Sequence, residues 1–201
     1  MTETVPPVRL FVAIHPPPAA LTDLATVVDA LRVSLAHAPG HSTRLTRREG
    51  WHVTVAFLGE VAAAKVDRAT RALQAVAERT EPMRLRLAGG GTFGGRRNPI
   101  LWVGLTGDVA ALKLLGTAMR QALRRARLPV DDRPLRPHLT LARPGSRVPP
   151  EAIAGDVTTL AGYQGPQWSV TELSLMLSEI HQTPAGPVPR YTALASAPLG
   201  T

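Results

Sequence analysis

Two short segments of the sequence carry the same arrangement of chemically active side chains. His52 and Thr54 stand in "HVTV", and His138 and Thr140 stand in "HLTL". Residues two apart in a β-strand share a face and are separated by about 6.6–6.8 Å. Each histidine and its threonine should therefore point together into one space, from which both can reach a small tetrahedral anion such as a phosphate.

A pair of histidines around one phosphorus atom has a recognisable chemistry. Because the unperturbed pKa of imidazole is about 6.5, one ring can take a proton while the other gives one near neutral pH. A lone histidine on a strand is more often structural, and threonine is simply a good strand former. The recurrence of the pair favours a function. Metal binding is not expected, because neither segment supplies a third ligand and no H-E-x-x-H pattern occurs.

The elements around the two segments repeat in the same order. "RLFVAI" (residues 9–14) predicts a strand, followed by a helix to about Leu35 and the strand at 51–60. "ILWVGL" (residues 100–105) predicts a strand, followed by a helix at 109–127 and the strand at 136–145. This duplication-like order predicts that the two histidine–threonine pairs flank one central cleft.

The rest of the chain is predicted more simply. Apolar periodicity predicts a helix at 62–79, and alternation predicts a strand at 83–89. The glycine cluster at 89–95 predicts a loop, and residues 146–167 are interpreted as a loop with a little helix. Two last strands are expected at 169–179 and 190–195.

Composition excludes several function classes. The chain of 201 residues contains no cysteine, which excludes disulfides, thiolate catalysis and cysteine-ligated metal centres. The net charge of +8 is compatible with a phosphate-bearing partner, although the near absence of lysine is equally explained by codon bias. No apolar run approaches the roughly 18 residues of a membrane span. The first residues lack the pattern of a signal peptide, so a cytoplasmic location is expected.

At this point the sequence resembles a known family. "HVTVAFLGE" and "HLTLAR", with the two strand segments that precede them, resemble the 2H phosphoesterase superfamily over about residues 8–195. The resemblance is closest to the RNA 2',3'-cyclic phosphodiesterases, also called 2'-5' RNA ligases. It implies an α+β fold: a bilobal, internally duplicated domain over residues 1–201, with antiparallel-rich sheets around a central cleft and helices outside. It also implies catalysis without metal or cofactor.

The resemblance assigns roles to particular residues. His52 and His138 become the catalytic pair, with His138 as base and His52 as acid by family analogy only. Thr54 and Thr140 become phosphate-binding residues, and so does Arg143, which occupies the place of an arginine that commonly follows the second motif. Strand alternation would point Arg143 away from the histidine, but the strand is expected to end after it and to let it turn towards the cleft.

The implied substrate is an RNA end bearing a 2',3'-cyclic phosphate, or a small cyclic nucleotide, and the reaction opens it to a 2'-phosphate. The protein is expected to be a monomer with no obligatory protein partner and no membrane partner. Cleavage or ligation of a 2'-5' phosphodiester is one alternative, and a non-catalytic RNA-binding module is another. The remaining histidines are interpreted as surface or structural residues: His15, His37, His41 and His181. The glycine-rich segment lacks phosphate-loop spacing, although Arg96 and Arg97 could reach an RNA backbone.

Overall fold

The fold is taken from a computed structural model that describes residues 6–35, 43–95, 99–145, 147–184 and 186–200. These residues form nine strands: β1 (Val8–Ile14), β2 (Arg44–Leu45), β3 (Val53–Val61), β4 (Met83–Phe93), β5 (Ile100–Gly107), β6 (Leu139–Arg143), β7 (Gln164–Val170), β8 (Glu172–Thr183) and β9 (Gly186–Pro198). They also form five α-helices: α1 (Pro18–Asp29), α2 (Arg32–Leu35), α3 (Val66–Ala77), α4 (Val109–Arg125) and α5 (Pro150–Ala161).

The strands form one antiparallel sheet in the order β7-β4-β5-β6-β3-β1-β8-β9, with β2 paired to β6. β3 and β6 meet at the centre through the pair Val53↔Leu139. We call β3, β1, β8 and β9 the first half-sheet, and β6, β5, β4 and β7 the second. The first half-sheet contains β8 and β9 from the C-terminal half of the chain, and the second contains β4 from the N-terminal half. The predicted α+β class with antiparallel sheets and outer helices is confirmed.

Helices cover one face of this sheet. The stripe predicted along α4 is buried against it: Leu112, Leu115, Met119 and Leu123. Core-facing strand residues such as Leu10 and Val53 belong to the same apolar cluster. The opposite face carries a separate small cluster made by Phe11, Ala13 and Met176, with Phe57 and Tyr191 packed beside it. We call this second face the open face. No helix in the described ranges is long and apolar enough to cross a lipid bilayer.

The first predicted helix is divided in two. Periodicity predicts one helix to about Leu35, but α1 ends at Asp29 and α2 begins at Arg32. Asp156 of α5, which is 2% exposed, accepts hydrogen bonds from the backbone amides of Arg32 at 2.8 Å and Val33 at 2.9 Å. A buried carboxylate from a distant helix thus satisfies the first amides of α2. The prediction of a single helix is wrong because its interruption depends on this tertiary contact.

The glycine cluster is not a loop. β4 continues through it to Phe93, so the predicted loop at 89–95 is wrong over most of its length. A Cβ on Gly90 would lie 2.5 Å from the Cβ of Leu160 in α5, and Gly89 has a φ of 65° beside a register shift in β4. These glycines let a helix approach the strand closely and allow a bulge, which are the two uses of glycine inside a sheet.

Residues 146–167 contain more regular structure than the sequence predicts. A helix of 12 residues, α5, and the start of β7 occupy most of the segment. α5 buries only Asp156 and Leu160, so its apolar stripe is too weak to be detected by periodicity. The interpretation as a loop with a little helix is therefore wrong in extent, because packing on β4 rather than pattern stabilises this helix.

Candidate active site

The two motif strands lie side by side at the centre of the sheet. Val53 and Leu139, the second residues of the motifs, pair with each other, and their side chains are fully buried on the helix-covered face of the sheet. Both motif histidines and both motif threonines are half-buried on the open face. The predicted alternation, with apolar residues below and polar residues above, therefore holds in both motifs.

The register brings the two motifs together in opposite directions. Continuing the central antiparallel pair by one residue each way sets His52 opposite Thr140 and Thr54 opposite His138. The two histidines are then diagonal neighbours, and their Cα atoms are about 7–8 Å apart at regular antiparallel spacing. The register thus makes the four side chains immediate neighbours on the open face.

A β-bulge in the second motif turns Arg143 onto the open face. Thr140 and Ala142 pair with two consecutive residues of β5, so Leu141 is an extra residue on β6. One extra residue shifts the alternation of side chains by one position. Ala142 is therefore buried, and Arg143 lies on the same face as His138. The bulge, rather than the end of the strand at Pro144, accounts for this direction.

The first motif contains the same irregularity. Thr54 and Ala56 pair with consecutive residues of β1, so Val55 is the extra residue on β3. Phe57 then returns to the open face at the position that Arg143 occupies in the other half. The Arg9 guanidinium lies 4.9 Å from the centre of the Phe57 ring. Both half-sheets therefore carry an arginine on this face, one from the motif strand and one from its neighbour.

Backbone carbonyl groups fix the tautomer of both histidines. The Nδ1 atom of His52 lies 2.7 Å from the Gly50 oxygen, and that of His138 lies 2.6 Å from the Arg136 oxygen. A carbonyl oxygen only accepts hydrogen bonds, so each Nδ1 carries the hydrogen and donates it. The Nε2 atom of each neutral ring is left with a free lone pair. This arrangement suits each ring to take up or release a proton at Nε2.

Aromatic rings hold both imidazoles edge to face. The ring of Tyr191 lies 5.0 Å from that of His52 at an interplanar angle of 84°. The ring of Phe93 lies 4.8 Å from that of His138 at 88° and stacks on Trp102 at 5.0 Å. Edge-to-face packing restricts the rotation of an imidazole without competing for its nitrogen atoms.

Burial keeps both rings neutral at physiological pH. It lowers the pKa of His52 to about 4, with a smaller lowering by His15 and His138, against a raising effect of the Gly50 carbonyl. Burial is also the largest cause of the lowered pKa of His138, and the positive charge of Arg143 adds to it. Arg143 further lowers the pKa of Tyr191, which burial raises. This guanidinium is thus electrostatically coupled to both sides of the site.

The sequence indicates that His15 is a surface or structural residue, and the residue is exposed. Its ring centre nevertheless lies 6.2 Å from that of His52, a proximity that the sequence did not predict. Counting in twos along β1 from Phe11 would have placed it on the same face, but the pattern does not tell which face meets the cleft. His181 lies exposed near the end of β8. The predictions for His37, His41, Arg96 and Arg97 fall outside the described residues.

Within the described ranges, no group of three or more His, Asp or Glu side chains is placed to hold a metal ion.

Comparison with known families identifies the kind of protein that carries this site. The family model described as the 2'-5' RNA ligase superfamily matches residues 16–181. The chain belongs to the 2'-5' RNA ligase superfamily. The resemblance seen in the two motifs is confirmed, and with it the prediction of an enzyme of the 2H phosphoesterase type.

Individual relatives support the same assignment. The chain is 34% identical over 155 residues to an RNA 2',3'-cyclic phosphodiesterase of Geobacillus stearothermophilus, covering 75% of this chain but 46% of that protein. It thus spans about half the length of that relative. It is 31% identical over 197 residues to an RNA 2',3'-cyclic phosphodiesterase of Thermus thermophilus, covering 92% and 87% of the two chains. The crystal structure of Escherichia coli LigT complexed with 3'-AMP aligns with a TM-score of 0.69 at 26% identity, covering 97% and 99%.

Proposed function

We propose that this protein hydrolyses the 2',3'-cyclic phosphate at an RNA end, or in a small cyclic nucleotide, to a 2'-phosphate. The observation that carries the proposal is the diagonal pair formed by His52 and His138, each with its Nδ1 tied to a carbonyl oxygen and its Nε2 free. The relatives named as RNA 2',3'-cyclic phosphodiesterases and the LigT complex with 3'-AMP support a nucleotide substrate.

The reaction divides proton transfer between the two rings. One Nε2 atom takes a proton from water while the water oxygen attacks phosphorus in line with the ribose 3'-oxygen. The bond from phosphorus to that oxygen breaks, and the other ring, as imidazolium, donates its Nε2 proton to it. The products are a 2'-phosphate and a 3'-hydroxyl. Each transfer typically contributes on the order of 10²–10⁴ in rate.

Family analogy makes His138 the base and His52 the acid, and this assignment stays a prediction. Since burial lowers the pKa of His52 to about 4, its acid form depends on the negative charge of a bound phosphate, which favours imidazolium. His138 has a lowered pKa as well and is neutral at pH 7, as a base must be.

Three further residues are proposed to bind the non-bridging phosphate oxygens. Thr54 and Thr140 lie beside the two histidines on the open face, and the bulge brings Arg143 to the same face. Two hydroxyl groups and one guanidinium would stabilise the charge that develops on these oxygens during displacement. Because the same groups act in reverse by microscopic reversibility, ligation or cleavage of a 2'-5' linkage is the second candidate, favoured by the family match.

The test is a hydrolysis assay with an RNA that ends in a 2',3'-cyclic phosphate, in EDTA, with 2'- and 3'-phosphate products resolved. We expect a 2'-phosphate from the parent and a rate lower by roughly 10²–10⁴ in His52→Ala and in His138→Ala. The matched control is His181→Ala, an exposed histidine at a distance from the site. RNA binding should survive in all three variants.

Two results would contradict the proposal. Hydrolysis by both histidine variants at the parent rate would remove the two rings from the mechanism. Absence of turnover in the parent, together with salt-dependent RNA binding, would favour a non-catalytic RNA-binding module. The cytoplasmic location and the monomeric state stay predictions, which fractionation of cells and light scattering would test.

A further inference from the structure

The row of side chains that contains His52 continues across the first half-sheet. The final residue pair between β1 and β3 joins Ile14 to Val53. One residue further, the register places His15 directly opposite His52, in agreement with the 6.2 Å between their ring centres. A third imidazole therefore stands beside the proposed catalytic pair and has no part in the proton transfers described above.

The same row reaches β8. Ala13 of β1 pairs with Ser174 of β8, and two residues further the register places His15 opposite Glu172. The negative charge of Glu172 raises the pKa of His15 against the larger lowering by burial, so the two side chains interact. His15 thus separates a carboxylate from the proposed phosphate position.

A cavity of about 300 Å³ opens at this end of the row. Its lining includes His15, Pro17, Trp168, Thr171, Glu172 and Ser174. Trp168 is 8% exposed and packs in the main core, and its indole Nε1 is buried without a hydrogen-bond partner among the described residues. The polar side chains of the lining are those of Thr171, Glu172 and Ser174 beside His15. They offer a carboxylate acceptor and two hydroxyl groups to a ligand that enters the cavity.

The charge of the lining restricts the ligand. Glu172 is the one acidic residue of the lining, and no arginine or lysine lines the cavity. A second phosphate group is therefore repelled, whereas a neutral ring with N–H donors is favoured. Small-molecule cavities begin at about 300 Å³, a size that accommodates one nucleobase. His15 lines the cavity and its ring centre lies 6.2 Å from that of His52, so a base in the cavity would be one residue away from the proposed phosphate position.

We propose that this cavity binds the nucleobase of the reacting nucleotide and that the Glu172 carboxylate makes it selective for guanine. The Watson–Crick edge of guanine presents two adjacent donors, N1–H and N2–H, which can pair with both oxygens of one carboxylate. The same edge of uracil presents one N–H between two carbonyl oxygens, which a carboxylate repels. Reading of an unpaired base along this edge is the usual mode of recognition in single-stranded RNA. The inference rests on the proposed function.

The experiment compares 2',3'-cyclic GMP with 2',3'-cyclic UMP as substrates. The parent should show a higher kcat/KM for the guanine nucleotide. Glu172→Gln should lower that value on the order of 10- to 100-fold, because a bidentate base contact is lost, and should change the uracil value by less than about threefold. Glu179→Gln on the same strand is the matched control, since it removes the same charge from an exposed position. It should leave both values unchanged.

A second readout keeps this inference separate from the proposed reaction. Calorimetric titration with 2'-GMP and 2'-UMP should give tighter binding of 2'-GMP by the parent, and Glu172→Gln should remove the difference. If neither cyclic nucleotide is hydrolysed but this binding difference is found, the proposed function fails and the guanine site stands. Equal kcat/KM for both nucleotides in the parent, or an equal loss for both in Glu172→Gln, would overturn the guanine site.

Discussion

Gly91 is the position where one added methyl group should disturb the site most directly. It lies on β4 opposite Trp102 on β5, and a Cβ built there would be 2.7 Å from Cζ2 of the indole ring. Contacts this short require the indole to move. Because Trp102 stacks on Phe93, which holds His138 edge to face, displacement of the indole reaches a proposed catalytic residue.

The size of the effect follows from the packing. Adding a methyl group to a well-packed position typically costs about 1–3 kcal/mol. In a domain of this length each kcal/mol lowers Tm by roughly 2–4 °C, so Gly91→Ala should lower Tm by about 2–12 °C. The kcat/KM for a 2',3'-cyclic nucleotide should fall as well, because the His138 ring loses its fixed orientation.

Thermal unfolding followed by circular dichroism, together with the hydrolysis assay, measures both effects. The matched control is Gly95→Ala, because within the described part of the chain no atom beyond the two flanking residues lies within 4 Å of a Cβ at Gly95. This control should stay within about 0.5 kcal/mol of the parent. A Trp102→Phe background tests the cause, since phenylalanine lacks the atoms that the new methyl group would meet. In that background Gly91→Ala should cost less than half as much.

Two outcomes would refute the reasoning. An unchanged Tm in Gly91→Ala would show that the strand accepts the methyl group without moving the indole. An equal cost in the parent and in the Trp102→Phe background would show that the destabilisation has another source. In either case Gly91 would no longer be explained by the need to accommodate Trp102.

Two further predictions concern a buried carboxylate and a buried imidazole. Asp156→Ala should lower the free energy of unfolding by about 1–3 kcal/mol in urea titrations, because two α2 amides lose their acceptor. The control Asp132→Ala loses only an exposed ion pair and should lower it by less than about 1 kcal/mol. Since the pKa of His52 falls to about 4 on folding, the unfolded chain binds more protons than the folded chain between pH 6.5 and 4. The free energy of unfolding should therefore decrease as the pH is lowered through this range. His52→Asn should make that fall shallower; an equal slope would contradict the assigned burial.

The parts of the site that follow from local pattern could be predicted from the sequence. His52 and His138 stand in short segments where alternation alone sets the face of each side chain. The repeated order of strand, helix and strand also predicted that both segments would meet at one cleft. These predictions needed no knowledge of which strands lie side by side, because the two motifs are the same and each supports the other.

The parts that depend on pairing between distant strands could not be predicted. The direction of Arg143 depends on a bulge that exists only relative to β5. The position of His15 next to His52 depends on the register between β1 and β3, which contains two shifts. Gly90 resembled a loop residue because the helix that packs on it is far away in sequence. In each case the contact that decides the outcome joins residues that are distant in sequence, and local propensity does not predict it.

The bulges also determine how the length of the chain can change near the site. Deleting Leu141 would restore plain alternation along β6 and would leave Arg143 on the face that carries His138. Deleting Val55 would leave Phe57 on that face of β3 in the same way. A residue inserted beside either bulge would add a second extra residue and would turn Arg143 or Phe57 towards the core. Natural or engineered variants of this protein should therefore tolerate loss of the extra residue far better than the insertion of another.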